Sequence, residues 1–75
     1  MKKIKINTEY ITLGQFLKIV DIASSGGEAK YLVKELEITV DDDPENRRGR
    51  KLYPGMQVKV NGYGLYQIIW LKELN

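Results

Sequence analysis

The sequence predicts an α+β domain in which two short amphipathic helices pack on a small, mostly antiparallel sheet. Three observations predict it. Two successive segments carry apolar residues at i, i+3, i+4 and i+7: Leu13, Phe16, Leu17 and Val20, then Ala29, Leu32, Val33 and Leu36. Short runs of period two lie before and after them. Turn residues at Asp41–Pro44, Tyr53–Met56 and Asn61-Gly62 then divide the second half into short strands. Neither helix can bury its stripe alone, so both must pack on one face of the sheet.

Lys2–Ile6 alternates, with Ile4 and Ile6 on one face and Lys3 and Lys5 on the other, as a short strand with a basic outer face does. Thr12 opens the first helix. Gln15 stands three residues on as its capping-box partner, and Ile11 is placed to staple onto Phe16. The stripe carries this helix to about residues 21–23, with Lys18 facing outward.

Ser25 opens the second helix, with Glu28 in the role of Gln15. Lys30 and Lys34 lie one turn apart on its exposed face. Gly26 and Gly27 fall in its first turn, where two readings stay open. They leave bare amides at the positive end of the helix dipole, or let the two helices pack closely, and the two readings are compatible.

Glu37–Val40 reads as a strand with Ile38 and Val40 inward, and Asp41-Asp42-Asp43-Pro44 turns the chain. Tyr53-Pro54-Gly55-Met56 has the centre of a type II turn. Val58 and Val60 alternate into Asn61-Gly62, a two-residue hairpin signal. Leu65–Leu71 is apolar on both faces and is expected to be the most buried strand, with Trp70 a candidate core anchor. Tyr63 is either a stacking platform or, the commoner role, a cover for the hairpin end.

Composition narrows the chemistry. Without Cys there is neither a disulfide nor a thiolate metal site, and without His the commonest general base and metal ligand are both missing. No spaced acid–base pair is evident, and Asp41–Pro44 lacks the ligand spacing and glycine of a calcium loop. Catalysis, a metal and a cofactor are therefore not expected. Met1-Lys2-Lys3 is followed by Ile4-Lys5-Ile6 rather than a long apolar core, and no apolar run approaches the ~18 residues of a membrane span. The expectation is one cytoplasmic, monomeric domain over residues 1–75, with no membrane and no small-molecule substrate.

Charge is where the sequence is least even. Arg47-Arg48-Gly49-Arg50-Lys51 places four cations in five residues, in a chain of net charge +2, and Asp41-Asp42-Asp43-Pro44-Glu45 places four carboxylates in the five residues near it. A basic run of this kind is a surface feature and a candidate for phosphate contact. The two blocks together leave a second class open, a protein-interaction adaptor steered by a polarised surface.

The ordered set Ile11–Lys18, Ala23–Lys30, Ile38-Thr39-Val40 and Tyr53–Val58 resembles the S-four RNA-binding domain, the alpha-L motif, with its core over about residues 11–60 and a C-terminal hairpin at 57–71. Pro44–Leu52 narrows the resemblance to the small stand-alone bacterial members of YaaA type. The resemblance implies non-catalytic binding of structured RNA, ribosomal RNA or a ribosomal particle. It implies a surface made by Thr12, Gln15 and Lys18 on the first helix and Ser25, Gly26, Gly27, Lys30 and Lys34 on the second. Arg47, Arg48, Arg50 and Lys51 complete it. Two positions depart from the pattern: Gly26 stands where many members carry a basic residue after the Ser-Ser pair, and Asp41-Asp42 stands where the hairpin turn is often Asn-Gly.

Overall fold

The computed structural model describes residues 1–74. In chain order its elements are β1 (Lys2–Ile6), β2 (Ile11–Thr12), α1 (Leu13–Ile19), α2 (Gly26–Glu35), β3 (Ile38–Val40), β4 (Asp43–Pro44), β5 (Lys51–Leu52), β6 (Gln57–Val60), β7 (Gly64–Trp70) and a closing 3-10 turn, Leu71–Leu74.

Both helix starts follow from their capping residues. Thr12 Oγ1 accepts from the Gln15 N–H at 3.2 Å, and Gln15 Oε1 accepts from the Thr12 N–H at 2.8 Å, so the reciprocal box forms as expected. Ser25 Oγ accepts from the Glu28 N–H at 3.1 Å, but Glu28 Oε1 reaches one residue further back, to the Ser24 N–H at 2.8 Å. The second box is therefore shifted. α1 is shorter than its stripe suggests, because Asp21 turns left-handed at φ 61. The Ile22 N–H then donates to the Leu17 carbonyl and the Asp21 N–H to the Lys18 carbonyl, the paired bonds of a Schellman ending.

The main sheet has the order β1-β7-β6-β3-β4; β1 and β7 are parallel and the other neighbours antiparallel. A separate antiparallel pair joins β2 to β5. The fold is thus the expected α+β arrangement, with two elements that local pattern does not reveal: the parallel β1–β7 pairing and the two-residue β2.

Leu13, Phe16 and Leu17 of α1 and Ala29 and Val33 of α2 are buried in one cluster with Val40, Leu52, Val58, Val60, Tyr66 and Ile68. Its aromatic centre is Phe16 packed edge-on against Tyr66, centroids 5.1 Å apart. Trp70 is not the anchor expected of it. It ends β7 opposite Ile6, where it is half-buried and outside this cluster. β7 is buried at Tyr66, Ile68 and Ile69 only, with Leu65 exposed near its start and Leu71 exposed just beyond its end.

The turns divide in the same way. Asp41 and Asp42 both take positive φ, 49° and 72°, between the paired residues Val40 and Asp43, which is the type I′ hairpin geometry. Gly55 at φ 99 and the Met56 N–H to Tyr53 carbonyl bond of 3.1 Å make the type II turn. Asn61-Gly62 does not form the two-residue hairpin. Val60 pairs with Gly64, the Tyr63 N–H donates to the Val60 carbonyl, and within the turn only Gly62 has positive φ, so the loop holds three residues.

Candidate nucleic-acid interface

The basic run is fastened to the start of α1 by backbone. Lys51 and Leu52 pair with Thr12 and Ile11 across the β2–β5 ladder. Where the ladder stops, the helix continues it: the Leu13 N–H donates to the Arg50 carbonyl at 2.8 Å and the Gly14 N–H to the Arg48 carbonyl at 2.9 Å. These are two of the first-turn donors that a helix cannot satisfy internally. With the Gln15 N–H held by Thr12, all three amides at the start of α1 are engaged. Gly14 is buried beneath Arg48; a Cβ there would lie 2.5 Å from Arg48 Cγ.

This fastening brings three segments to one shallow depression, lined by the cap Thr12 with Gly14, Gln15 and Lys18 of α1, Gly26 and Ala29 of α2, and Arg48 and Gly49 of the loop. The α2 side differs from the α1 side. The N–H groups of Gly26 and Gly27 have no acceptor among the described residues. A Cβ at Gly26 would meet nothing within 4 Å, and one at Gly27 only Ser25 Oγ at 3.9 Å. Close helix packing therefore does not require glycine at either position. The first-turn amides at the positive end of α2 have no Cβ beside them at these two positions. At about 100° per residue, Gly26, Gly27, Lys30 and Lys34 share an arc of about 100° on α2, so both lysines stand on the side of the open amides.

Glu45 changes the electrostatics of the loop. Although counted in the acidic block, it is the one buried charged residue among those described. Its carboxylate accepts from Arg47 Nε (2.9 Å) and Nη2 (3.0 Å), from Arg50 Nη1 (2.8 Å) and from the backbone N–H groups of Asn46 and Arg47 (3.1 Å each). The Arg47 bonds above all, then Arg50, hold its carboxyl at about 2, below the usual 4.5, against the opposite push of burial. The Arg47 guanidinium is raised in turn by the same partner. Arg47 keeps 70% of its side chain exposed and Arg50 28%, so Glu45 orients the loop from beneath while both guanidinium groups retain N–H donors. It also cancels one of the four positive charges.

A family model described as "S4 domain" matches residues 4–69. The chain belongs to the S4 domain family. A protein of Bacillus subtilis (strain 168) called "Probable ribosome maturation protein RlbA" is 54% identical over 66 residues, covering 88% of this chain and 93% of that protein. No solved structure matches the chain at a comparable level.

In this S4 domain the residues expected at the surface fall into three groups. Thr12, Gln15, Lys18, Gly26 and Arg48 meet at the shared depression. Ser25, Gly27, Lys30 and Lys34 are exposed along the adjoining side of α2, with Ser25 Oγ occupied as the helix cap. Arg47, Arg50 and Lys51 line a second depression that meets the first at Gly49. Among the described residues, Lys18, Lys30, Lys34, Arg48 and Lys51 enter no ion pair. Three contributors were not foreseen. Glu45 was hidden among the aspartates, although its spacing to Arg47 and Arg50 across a proline-started loop is a usable signal. Gly14 carries no local signal that a loop more than thirty residues on will lie against it. Tyr10 reaches the loop only through the fold: its ring lies 4.9 Å from Lys51 Nζ and 5.5 Å from the ring of Tyr53.

Proposed function

We propose that this protein is a non-catalytic RNA-binding protein that acts on structured RNA of the ribosome or of a ribosomal particle in maturation. It grips phosphates with Lys18, Lys30, Lys34 and the Arg48 loop. The observation that carries the reading is the seating of the basic run on α1, where the Arg48 and Arg50 carbonyls accept from Gly14 and Leu13. That seating turns a charged loop into a wall of the depression between the two helix starts. Membership of the S4 domain family and the relative's ribosome-maturation name support the same reading.

Recognition then works by position and charge. The free amides of Gly26 and Gly27 receive one phosphate at the α2 dipole, and the flanking lysines and Arg48 hold its neighbours along the backbone. RNA helices are met chiefly through shape and phosphate, so sequence preference is weak. The adaptor reading loses ground. Glu45 is withdrawn from the acidic surface, and Asp41 Oδ1 accepts from the Gln57 N–H at 2.8 Å.

The test is crosslinking in cells followed by sequencing of the attached RNA, comparing the wild type with a K30A/K34A/R48A variant that leaves the Glu45 cluster intact. Ribosomal RNA is recovered with the wild type and depleted with the variant; equal recovery overturns the site. In vitro, four cations on phosphates, Lys18, Lys30, Lys34 and Arg48, give a slope of log K against log salt of about −3. A flat response sinks the mechanism.

A further inference from the structure

The depression on the far side of Gly49 has a different character from the phosphate-gripping groove. Its wall is aromatic and sulfur-bearing at Tyr53 and Met56, and cationic at Arg47, Arg50 and Lys51. Tyr53 is held in place rather than trailing in solvent. It opens the Pro54-Gly55 turn, its N–H lies 3.4 Å from Met56 Sδ, and its ring packs on Tyr10 at an interplanar angle of 48°. It is still 37% exposed. The inner partner, Tyr10, has Lys51 over its ring, so one face of the pair is occupied by a cation and the outer ring is left open. The guanidinium groups beside it are oriented by Glu45 before any ligand arrives.

An open, fixed aromatic ring bordered by oriented cations matches a nucleotide that has left the helical stack: a base for the ring and a phosphate for the cations. A base-paired nucleotide offers only the second. We propose that this depression takes a single unpaired nucleotide of the bound RNA, with its base stacked on Tyr53 and its phosphate held by Lys51 and Arg50. The proposal rests on the RNA-binding reading and sharpens it. The protein prefers RNA with a bulge or loop beside a helix, the helix lying on the α1–α2 groove and the unpaired residue turning into the Tyr53 depression across Gly49. Tyr63, the exposed tyrosine of the β6–β7 loop, lines neither depression.

The experiment uses two fluorescently labelled RNAs, a perfect duplex and the same duplex with one unpaired nucleotide. The chain of residues 1–75 binds the bulged RNA tighter by at least about fivefold, the low end of what one base–aromatic stack supplies. Tyr53→Ala abolishes that difference while leaving the affinity for the perfect duplex and its salt slope in place; Tyr53→Phe keeps the difference. Titration of the wild type with bulged RNA also shifts the ring-proton resonances of Tyr53, and titration with the perfect duplex does not. That measurement stands even where Tyr53→Ala weakens the fold. Equal wild-type affinity for the two RNAs overturns the pocket and leaves the groove standing. Absence of binding to either overturns the RNA reading, and the pocket with it.

Discussion

Gly14 and Arg48 are in contact twice over: the Gly14 N–H donates to the Arg48 carbonyl at 2.9 Å, and the Arg48 side chain runs across the space that a Cβ on Gly14 would occupy. Glycine at a helix start ordinarily weakens the helix, by up to about 1 kcal/mol relative to alanine. Here it lets the basic loop lie against α1. Gly14→Ala therefore sets a propensity gain against displacement of Arg48 at its Cγ, which is too near the backbone to swing aside freely. Stability by urea unfolding is expected to stay within about 1 kcal/mol of the wild type. Duplex RNA affinity, by contrast, is expected to fall several-fold, as is that of Arg48→Ala. Unchanged affinity would show that the course of Arg48 over Gly14 does not matter to binding.

Glu45 makes the loop sensitive to acid. Its carboxyl is held at about 2 in the folded protein against an ordinary 4.5, so it contributes stability that is complete above pH 4.5 and is lost as pH falls toward 2. Glu45→Gln removes the carboxylate and leaves Arg47 and Arg50 without their partner. The cost at neutral pH is on the order of 1–2 kcal/mol, well below that of a fully buried pair, because Arg47 stays in water. The decisive comparison is the pH profile of unfolding between 2 and 5. The wild type loses stability there more steeply than Glu45→Gln, so the two curves converge toward the acid end. Parallel curves would refute the assignment.

The parts of the fold governed by neighbours in sequence were legible, and those governed by distant partners were not. Thr12 with Gln15 and Pro54 with Gly55 carry their geometry within four residues, and both formed as read. Ser25 with Glu28 was half right, because the carboxylate had a second amide within reach one residue upstream. Trp70 lies outside the core, and hydrophobic size says nothing about where along the sheet a residue lies; the core centres on Phe16 and Tyr66, fifty positions apart. Among the site residues, the basic run and the two lysines of α2 were visible from charge. What seats that run was not: the bonds from Leu13 and Gly14 join residues more than thirty positions away. The burial of Glu45 is hidden for a related reason. A carboxylate beside three aspartates looks solvated until the two arginines beyond it fold back.

The β3–β4 turn is a place where this chain departs from the best residues for its own geometry. Type I′ turns need positive φ at both central positions, and Asp41 and Asp42 adopt it at 49° and 72°. The left-handed conformation costs an L-residue about 1–2 kcal/mol, part of which glycine avoids at the expense of greater chain entropy. Asp42→Gly is accordingly expected to raise the unfolding midpoint by a net stabilisation of roughly 0.5–1 kcal/mol, and Asp42→Ala to lower it. A destabilised glycine variant would mean that the Asp42 side chain makes a contribution larger than the strain of its backbone.

The sharpest separation of stability from binding lies at the start of α2. Gly26 and Gly27 leave room for a Cβ, so replacing both with alanine clashes with nothing and improves helix propensity. Any gain is a few tenths to about 1 kcal/mol per position, smaller in a first turn than in a helix interior. In the proposed site, the same two methyl groups would narrow the approach of a phosphate to the bare amides at the positive end of the dipole. A G26A/G27A variant should therefore be as stable as the wild type or more so, and yet bind duplex RNA several-fold more weakly. Its salt slope should stay close to the wild type's, because the amides carry no net charge and every lysine and arginine remains. Unfolding and binding measured on the same preparation decide it: a more stable variant with undiminished affinity would leave the lysines and Arg48 to hold the RNA without the helix amides.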